Sequence, residues 1–454
     1  MTSERALNVF DVYDRFVIGE RVPADEWNYR TIPANADRLK RKYRLEFGRN
    51  IIPDDKAIKK DLFAAGLEML VSTGFYNADM ERVMDVTESE VAEGIRKAPK
   101  QLTFGEGRDL IRTCTRRSNI SLRPTVRGGP AGAPVSEDIF VKVMRSYAQE
   151  AVVDTIVNGT MPSAGGHPAI IGTPYGMRAC ATGIRAAREA CIAAGRPGMS
   201  VHASGPGRAP HMIPERSGPH VQCDLPQLSE LKINMTVMNM LALSSVSGGA
   251  VMIEQMPIFG GYCGGAEETA ICDVAATLAS FALFNGSIHL DCPVHIRWGI
   301  TTARETLQVA GHAAAAIDAN TDLLIGNQCC TAAGPCTEMC LLETAAQAIC
   351  ATASGRELIS GPASAKGAAQ DKTTGMEARI MGEAAGAAAG IKAGNINMII
   401  DDIVSGYEND YANAPAGKTF RECYCADTVK PAAEYMRVYD GAVRKLRSAG
   451  LNIW

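Results

Sequence analysis

The sequence predicts an α/β chain folded as a closed (β/α)8 TIM barrel with an N-terminal helical extension, an open doubly wound sheet being the alternative. Three observations carry this. Eight short apolar runs recur after residue 120, roughly 30–50 residues apart, an interval that suits successive βα units. Alanine-rich stretches with helical periodicity lie between them. Residues 1–100 are rich in charge and poor in glycine, which sets an N-terminal helical layer, 1–115, apart from a barrel over 116–454.

In the N-terminal layer, 35–42 reads as helix, and 54–70 as an amphipathic helix with Ile58, Leu62, Leu67 and Leu70 on its buried side. The expected strands are Pro124-Thr125-Val126, the run 153–157, Met199-Ser200-Val201 and the run 250–253. They continue with Val294-His295-Ile296 and the preceding His289-Leu290, then Leu323-Leu324-Ile325, Leu358-Ile359-Ser360 and Met398-Ile399-Ile400. Between them, Met177, Cys180, Ile184, Ala187 and Cys191 recur at three and four, and Gly195 ends that helix; Ile271, Val274, Leu278 and Phe281 repeat the pattern. Ser136 before Glu137 and Asp138 reads as an N-cap, Pro335 as the first turn of a helix towards Gly355, and 435–446 as the last helix.

Composition excludes several classes. Of 454 residues 46% are hydrophobic and 21% charged, enough for a large core and against disorder. A net charge of −4 offers no nucleic-acid surface, and no apolar run completes a membrane span. With no apolar leader after Met1, the expected compartment is the cytoplasm. There the 14 cysteines are expected as reduced thiols. No CxxC pair occurs, so most read as small buried hydrophobes.

In a barrel the chemistry sits at the C-terminal strand ends. The residues to watch are therefore Arg127-Gly128-Gly129, Asn158-Gly159, His202, Glu254-Gln255, Arg297-Trp298, Gln328-Cys329-Cys330, Ser364 and Asp401-Asp402. The glycine clusters at 128–132, 205–207 and 361–367 lack a following Lys-Ser/Thr and read as mouth turns. Glu254 suits a cation ligand or an acid/base; the competing reading pairs it with Arg297 or Lys366. Of two adjacent thiols only one can face a pocket, and Cys336 and Cys340 would share one helix face. His202 in a Gly/Pro-rich surrounding suits a base, acid or ligand, whereas His295 and His312 read as structural. His211, His220 and Cys223 show no metal-site spacing.

At these strings the chain resembles a known family. EQMPIFGGY at 254–262, PVHIRWG at 293–299, AGPCTEMCLLE at 333–343, DKTTGMEAR at 371–379 and YANAPAGKTF at 411–420 are similar to the monomethylamine:corrinoid protein methyltransferases, a likeness running from Val12 to Leu446. The resemblance implies a (β/α)8 barrel in a homo-oligomer, a hexamer. It passes a methyl group from a small methylated amine or related donor to the cob(I)amide of a separate corrinoid protein, and holds no tightly bound cofactor itself. The family carries pyrrolysine, an electrophilic imine, in its mouth. Here GRPGMSV at 195–201 resembles the approach to that residue, and the position itself is His202, whose imidazole is no electrophile. Glu254 and Gln328 stand where the family has its pocket carboxylate and amide, and Cys330 where it has a pocket tyrosine. The implied roles are Glu254 binding or protonating the leaving nitrogen, with Gln328 and His202 orienting it and Asn158, Cys329 and Cys330 lining the site. His202, Glu254 and Cys330 also form a candidate zinc set for an alcohol or thiol donor. A barrel that binds a small cation without turnover is the remaining alternative.

Overall fold

The structure, a computed structural model, describes residues 7–117, 121–203, 222–247 and 250–453. Eight strands close a parallel barrel. They are β1 (Thr125–Gly128), β2 (Thr155–Val157), β3 (Val201–Ala203), β4 (Gln222–Pro226), β5 (Met252–Gln255), β6 (Ile288–Asp291), β7 (Ile325–Cys330) and β8 (Leu358–Ala363). Each pairs with its neighbours in chain order, and β8 returns to β1. This is the expected barrel, and seven of the eight expected runs lie at or beside a strand.

Two runs are corrected. Met398-Ile399-Ile400 is helical: it lies in Ala393–Ser405, where Ile396, Ile399, Ile400, Ile403 and Val404 are buried at spacings of three and four. It imitates a strand only because two buried positions of a helix can be adjacent. The strand it displaced in the count is β4, whose QCDLP sequence has no apolar run because its inward position is an ion-paired aspartate. In the fifth run only His289-Leu290 belongs to the barrel. Val294–His295 instead pairs in parallel with Ile258–Phe259, a small sheet beyond the strand ends.

Local signals mostly hold. The helices fall at Ile32–Tyr43, Lys56–Thr73, Pro174–Ala193, Ala266–Phe284 and Ala433–Ser448. In Lys56–Thr73 the buried face is Leu62, Ala65, Gly66, Met69 and Leu70, with Ile58 and Leu67 at its margin. Pro335 precedes the helix it was expected to start, Glu338–Ala353, which is capped by Thr337. Cys336 therefore shares no helix face with Cys340. Ser136 gives its hydroxyl to Asp371 instead of capping.

The N-terminal segment completes the barrel at two places. Helix Lys56–Thr73 lies against Ala266–Phe284, which is buried at every position from Thr269 to Phe284. A helix buried all round needs cover on both sides, and here the barrel supplies one and the N-terminal layer the other. The approach is close: a Cβ on Gly66 would come within 2.3 Å of Val274 Cγ1. The hairpin Gln101–Phe104 with Ile111–Cys114 closes the barrel floor. Phe104, fully buried, packs there with Met252, Ile288, Leu324 and Leu358, the first layer of inward side chains.

Candidate active site

Side chains on a strand alternate between the two faces, and lateral register carries that parity around a barrel. The paired positions Ser360, Arg127 and Thr155 form one inward row; Val157 and His202 form another, and Asp224 pairs with Met252. Glu254 pairs with Leu290, and Gln328 with Ser360. Arg127, His202, Asp224, Glu254, Gln328 and Ser360 therefore share the inner wall, one layer above the apolar floor.

A buried guanidinium organises them. Arg127 has no exposed surface; its Nε donates to Ser360 Oγ at 2.8 Å and its Nη1 to Asp224 Oδ1 at 2.7 Å. The same Nη1 lies 3.0 Å from Met252 Sδ, and Nη2 lies 3.5 Å from Gln328 Oε1. Ser360 Oγ donates to Gln328 Oε1 at 2.7 Å. With two donors on its oxygen, the Gln328 amide has one orientation, and Nε2 faces Cys329 O at 3.4 Å. Arg127 and Gln328 are buried, while Asp224, Glu254 and Cys330 keep accessible surface. The three latter side chains thus border the opening.

The end of β7 is held from behind. Cys330 N donates to Thr301 Oγ1 at 2.9 Å, Thr301 Oγ1 to Gln347 Oε1 at 2.6 Å, and Gln347 Nε2 to Gln328 O at 3.1 Å. One turn on, Glu343 accepts from Ala332 N at 2.8 Å, Ala333 N at 3.0 Å and Thr302 Oγ1 at 2.6 Å. The ladder shifts register between Gln328 and Cys330, a bulge of the kind that re-aims a side chain beside a site.

Electrostatics separates the two carboxylates. Asp224 is ion-paired. Burial and the charge of Asp224 push the Glu254 carboxyl up to about 7, against the opposing pull of Arg127 and a contact from the Cys292 thiol. The cation beside Glu254 is therefore Arg127, reached from below, and neither Arg297 nor Lys366; Arg297 stacks on Trp298 and Lys366 is exposed. Burial and Glu254 push the Cys330 thiol up to about 12, so it enters the site as a neutral S–H. His202 is fully buried with its ring 5.1 Å from that of Phe104. No group of three His, Cys, Asp or Glu among the described residues is placed to hold a metal ion.

While His202 shares the inner face of the barrel and meets Phe104 at the floor, Glu254, Gln328 and Cys330 are thus brought together. Asn158 and Cys329 are not, because each follows or precedes an inward residue and alternation turns it out. The Asn158 amide lies 3.5 Å from where a Cβ of Gly183 would stand, on helix Pro174–Ala193. Cys329 is buried against Thr344 of helix Glu338–Ala353. Asp401 pairs with Arg304 at the surface, and Ser364 is buried against Cys340. His211, His220 and the loop 205–207 lie outside the described residues, as does the Cys223 side chain. The residues that sequence reasoning missed are Asp224 and Ser360, with Arg127 flagged only by its place after a run. The available signal was Arg127 itself: an arginine inside an apolar strand must bring a carboxylate with it.

Comparison with known proteins gives one answer. The family described as monomethylamine methyltransferase MtmB matches residues 7–451. The chain is 48% identical over 458 residues to monomethylamine methyltransferase MtmB1 of Methanosarcina acetivorans, covering 99% of this chain and 100% of that one. It is 48% identical over 461 residues to MtmB1 of Methanosarcina barkeri, with the same coverage. The crystal structure of the Methanosarcina barkeri enzyme superposes with a TM-score of 0.97 at 47% identity over 99% of this chain and 100% of the other. A hydroxylamine complex of MtmB superposes equally well.

Proposed function

This chain belongs to the monomethylamine methyltransferase MtmB family, and from that premise we propose the chemistry performed at its barrel mouth. The protein is a corrinoid-dependent methyltransferase that passes a methyl group from a small methylated amine to the cob(I)amide of a separate corrinoid protein. The observation that carries the amine reading is the pair Asp224 and Glu254 on one wall with a single buried counter-cation, Arg127. With Glu254 ionised the cluster is one positive charge short, and an ammonium group supplies it.

The donor proposed is an N–H-bearing ammonium, methylammonium first. Quaternary ammonium groups favour aromatic cages. The eight barrel strands carry no Phe, Tyr or Trp, whereas Asp224 and Glu254 offer carboxylate oxygens to N–H donors. An MtmB relative has been crystallised with hydroxylamine, another small N–H-bearing compound.

The barrel then orients the substrate and holds its protons. The co-substrate supplies a strong metal nucleophile. The C–N bond breaks with its electron pair staying on nitrogen, and the methyl carbon leaves for the nucleophile. A nitrogen kept protonated by Asp224 and Glu254 departs as neutral ammonia, so charge balances with no proton lost. His202 forms no adduct in this scheme; it closes the floor of the pocket against Phe104. Ile170, Ile171, Met256 and Ile296 on the segments beyond β2, β5 and β6, and Tyr175 in the first turn of helix Pro174–Ala193, are exposed, which supports docking of the corrinoid protein over the mouth. Helix Val9–Ile18 exposes Phe10, Tyr13, Val17 and Ile18, which supports a homo-oligomer, proposed as a hexamer. No described helix is long and apolar enough to cross a membrane, and the described cysteines are all free, which suits the reducing cytoplasm.

Calorimetric titration tests the donor. Methylammonium is expected to bind at pH 8 at least tenfold more tightly than tetramethylammonium, and Glu254→Gln to abolish the preference. Tighter tetramethylammonium binding would overturn the assignment.

A further inference from the structure

The guanidinium of Arg127 reaches no solvent, yet all its donations but one, to Met252 Sδ, lead to groups at the substrate wall. Burying an arginine is costly, and hydrophobic side chains of similar volume commonly serve stability as well or better. Leu290, Met252 and Leu358 fill the layer below without polar atoms. Packing alone therefore gives no reason for a cation at β1. The contacts do. Nη1 fixes one oxygen of Asp224 and leaves the side chain with accessible surface towards the opening. Nη2 and Nε, the latter through Ser360, set which end of the Gln328 amide faces the guanidinium. Among the described residues Arg127 is also the positive charge acting on Glu254.

We propose that Arg127 is a positioning residue of the methyl-transfer reaction, acting through Asp224, whose carboxylate it pins to receive the substrate nitrogen, while it fixes the neighbouring Gln328 amide in one orientation. This rests on the ammonium reading above. Arg127 acts through these side chains: its guanidinium is fully buried and donates to Asp224 and, directly and by way of Ser360, to Gln328. Two consequences separate positioning from mere support. Arg127→Lys keeps the charge but loses the fork, because one ammonium cannot serve Asp224, Ser360 and Gln328 with fixed geometry. Arg127→Met removes the cation, so Glu254 holds its proton to higher pH.

The test uses the full chain with methylammonium and a reduced corrinoid protein, comparing wild type, Arg127→Lys, Arg127→Met and the charge-balanced Arg127→Met/Asp224→Asn. For Arg127→Lys, kcat is expected to fall at least tenfold with KM changed less than threefold, in a protein whose melting temperature stays near wild type. For Arg127→Met, the acid limb of the pH–rate profile is expected to move up by at least one pH unit. If Arg127→Met does not fold, the double variant must fold and show at least a tenfold loss. Wild-type kcat and pH profile in folded Arg127→Lys and in the double variant would overturn the proposal. Should wild type itself transfer no methyl group, the ammonium reading fails separately. The pH dependence of melting in wild type against Arg127→Met then decides the coupling of Arg127 to Glu254 without any turnover, and identical curves would overturn it.

Discussion

Replacing Glu254 with glutamine should remove a specific slice of the pH dependence of stability. In the folded protein the Glu254 carboxyl lies at about 7, against 4.5 for the free group, because burial and Asp224 disfavour its charged form. Between those two values the native state holds a proton that the unfolded chain has released. Stability contributed by this group is therefore full below pH 4.5, declines as pH rises, and is lost once pH passes 7. The interval corresponds to about 3 kcal/mol. A chain of 454 residues unfolds with an entropy of roughly 1 kcal/mol/K, so the effect on melting temperature is about 3 °C. Differential scanning calorimetry of wild type and Glu254→Gln from pH 5 to pH 8.5 reads it directly. The melting temperature of the variant should rise relative to wild type by about 3 °C across that range. Parallel curves would refute the claim that Glu254 is held protonated near neutrality. Because the same ionisation admits the ammonium group, methylammonium affinity should weaken tenfold per pH unit below about 7 in wild type.

Other consequences follow from single contacts. Phe104→Ala empties the barrel floor beneath His202 and should cost about 3–5 kcal/mol, read as a lower melting temperature, and reduce methyl transfer by loosening the wall above. Glu343→Ala orphans the Ala332 and Ala333 N–H groups behind β7 and should destabilise by about 2–5 kcal/mol; Glu343→Gln, which still accepts, should cost less. Iodoacetamide at pH 8 should label exposed Cys425, whose thiol is lowered by Thr428 contacts, well before Cys330, pushed up to about 12; peptide mapping that finds Cys330 labelled first would contradict the burial argument. Gly66→Leu should break the contact with helix Ala266–Phe284 and yield little folded protein, because Val274 stands where its Cβ must go.

Much of this fold was legible, and the failures have causes. Apolar runs between helical stretches mark β1, β2, β5, β7 and β8 because a parallel strand is buried on both faces. The rule breaks at β4, where Asp224 takes the inward place that an apolar residue usually holds, and function here overrides the pattern that reveals strands. It breaks again at Met398-Ile399-Ile400, because three adjacent apolar residues do not distinguish a strand from the buried edge of a helix. In the candidate site, Glu254, Gln328 and Cys330 were readable as residues at the ends of apolar runs, and strand alternation turns one thiol of the Cys329-Cys330 pair inward. Asn158 failed on the same alternation, being one residue past the inward Val157. Arg127 with Asp224 could not be read from sequence, since 97 positions separate them and only barrel closure brings them to 2.7 Å.

The most direct test of the central claim is a single-turnover assay. Methylammonium labelled in its methyl carbon is mixed with the purified chain and a reduced corrinoid protein, and both ammonia and corrinoid-bound label are counted. One ammonia released per methyl group transferred, lost in Glu254→Gln, is the predicted result. Absence of label on the corrinoid, with methylammonium bound but intact, would contradict catalysis and leave a barrel that binds small cations without turning them over.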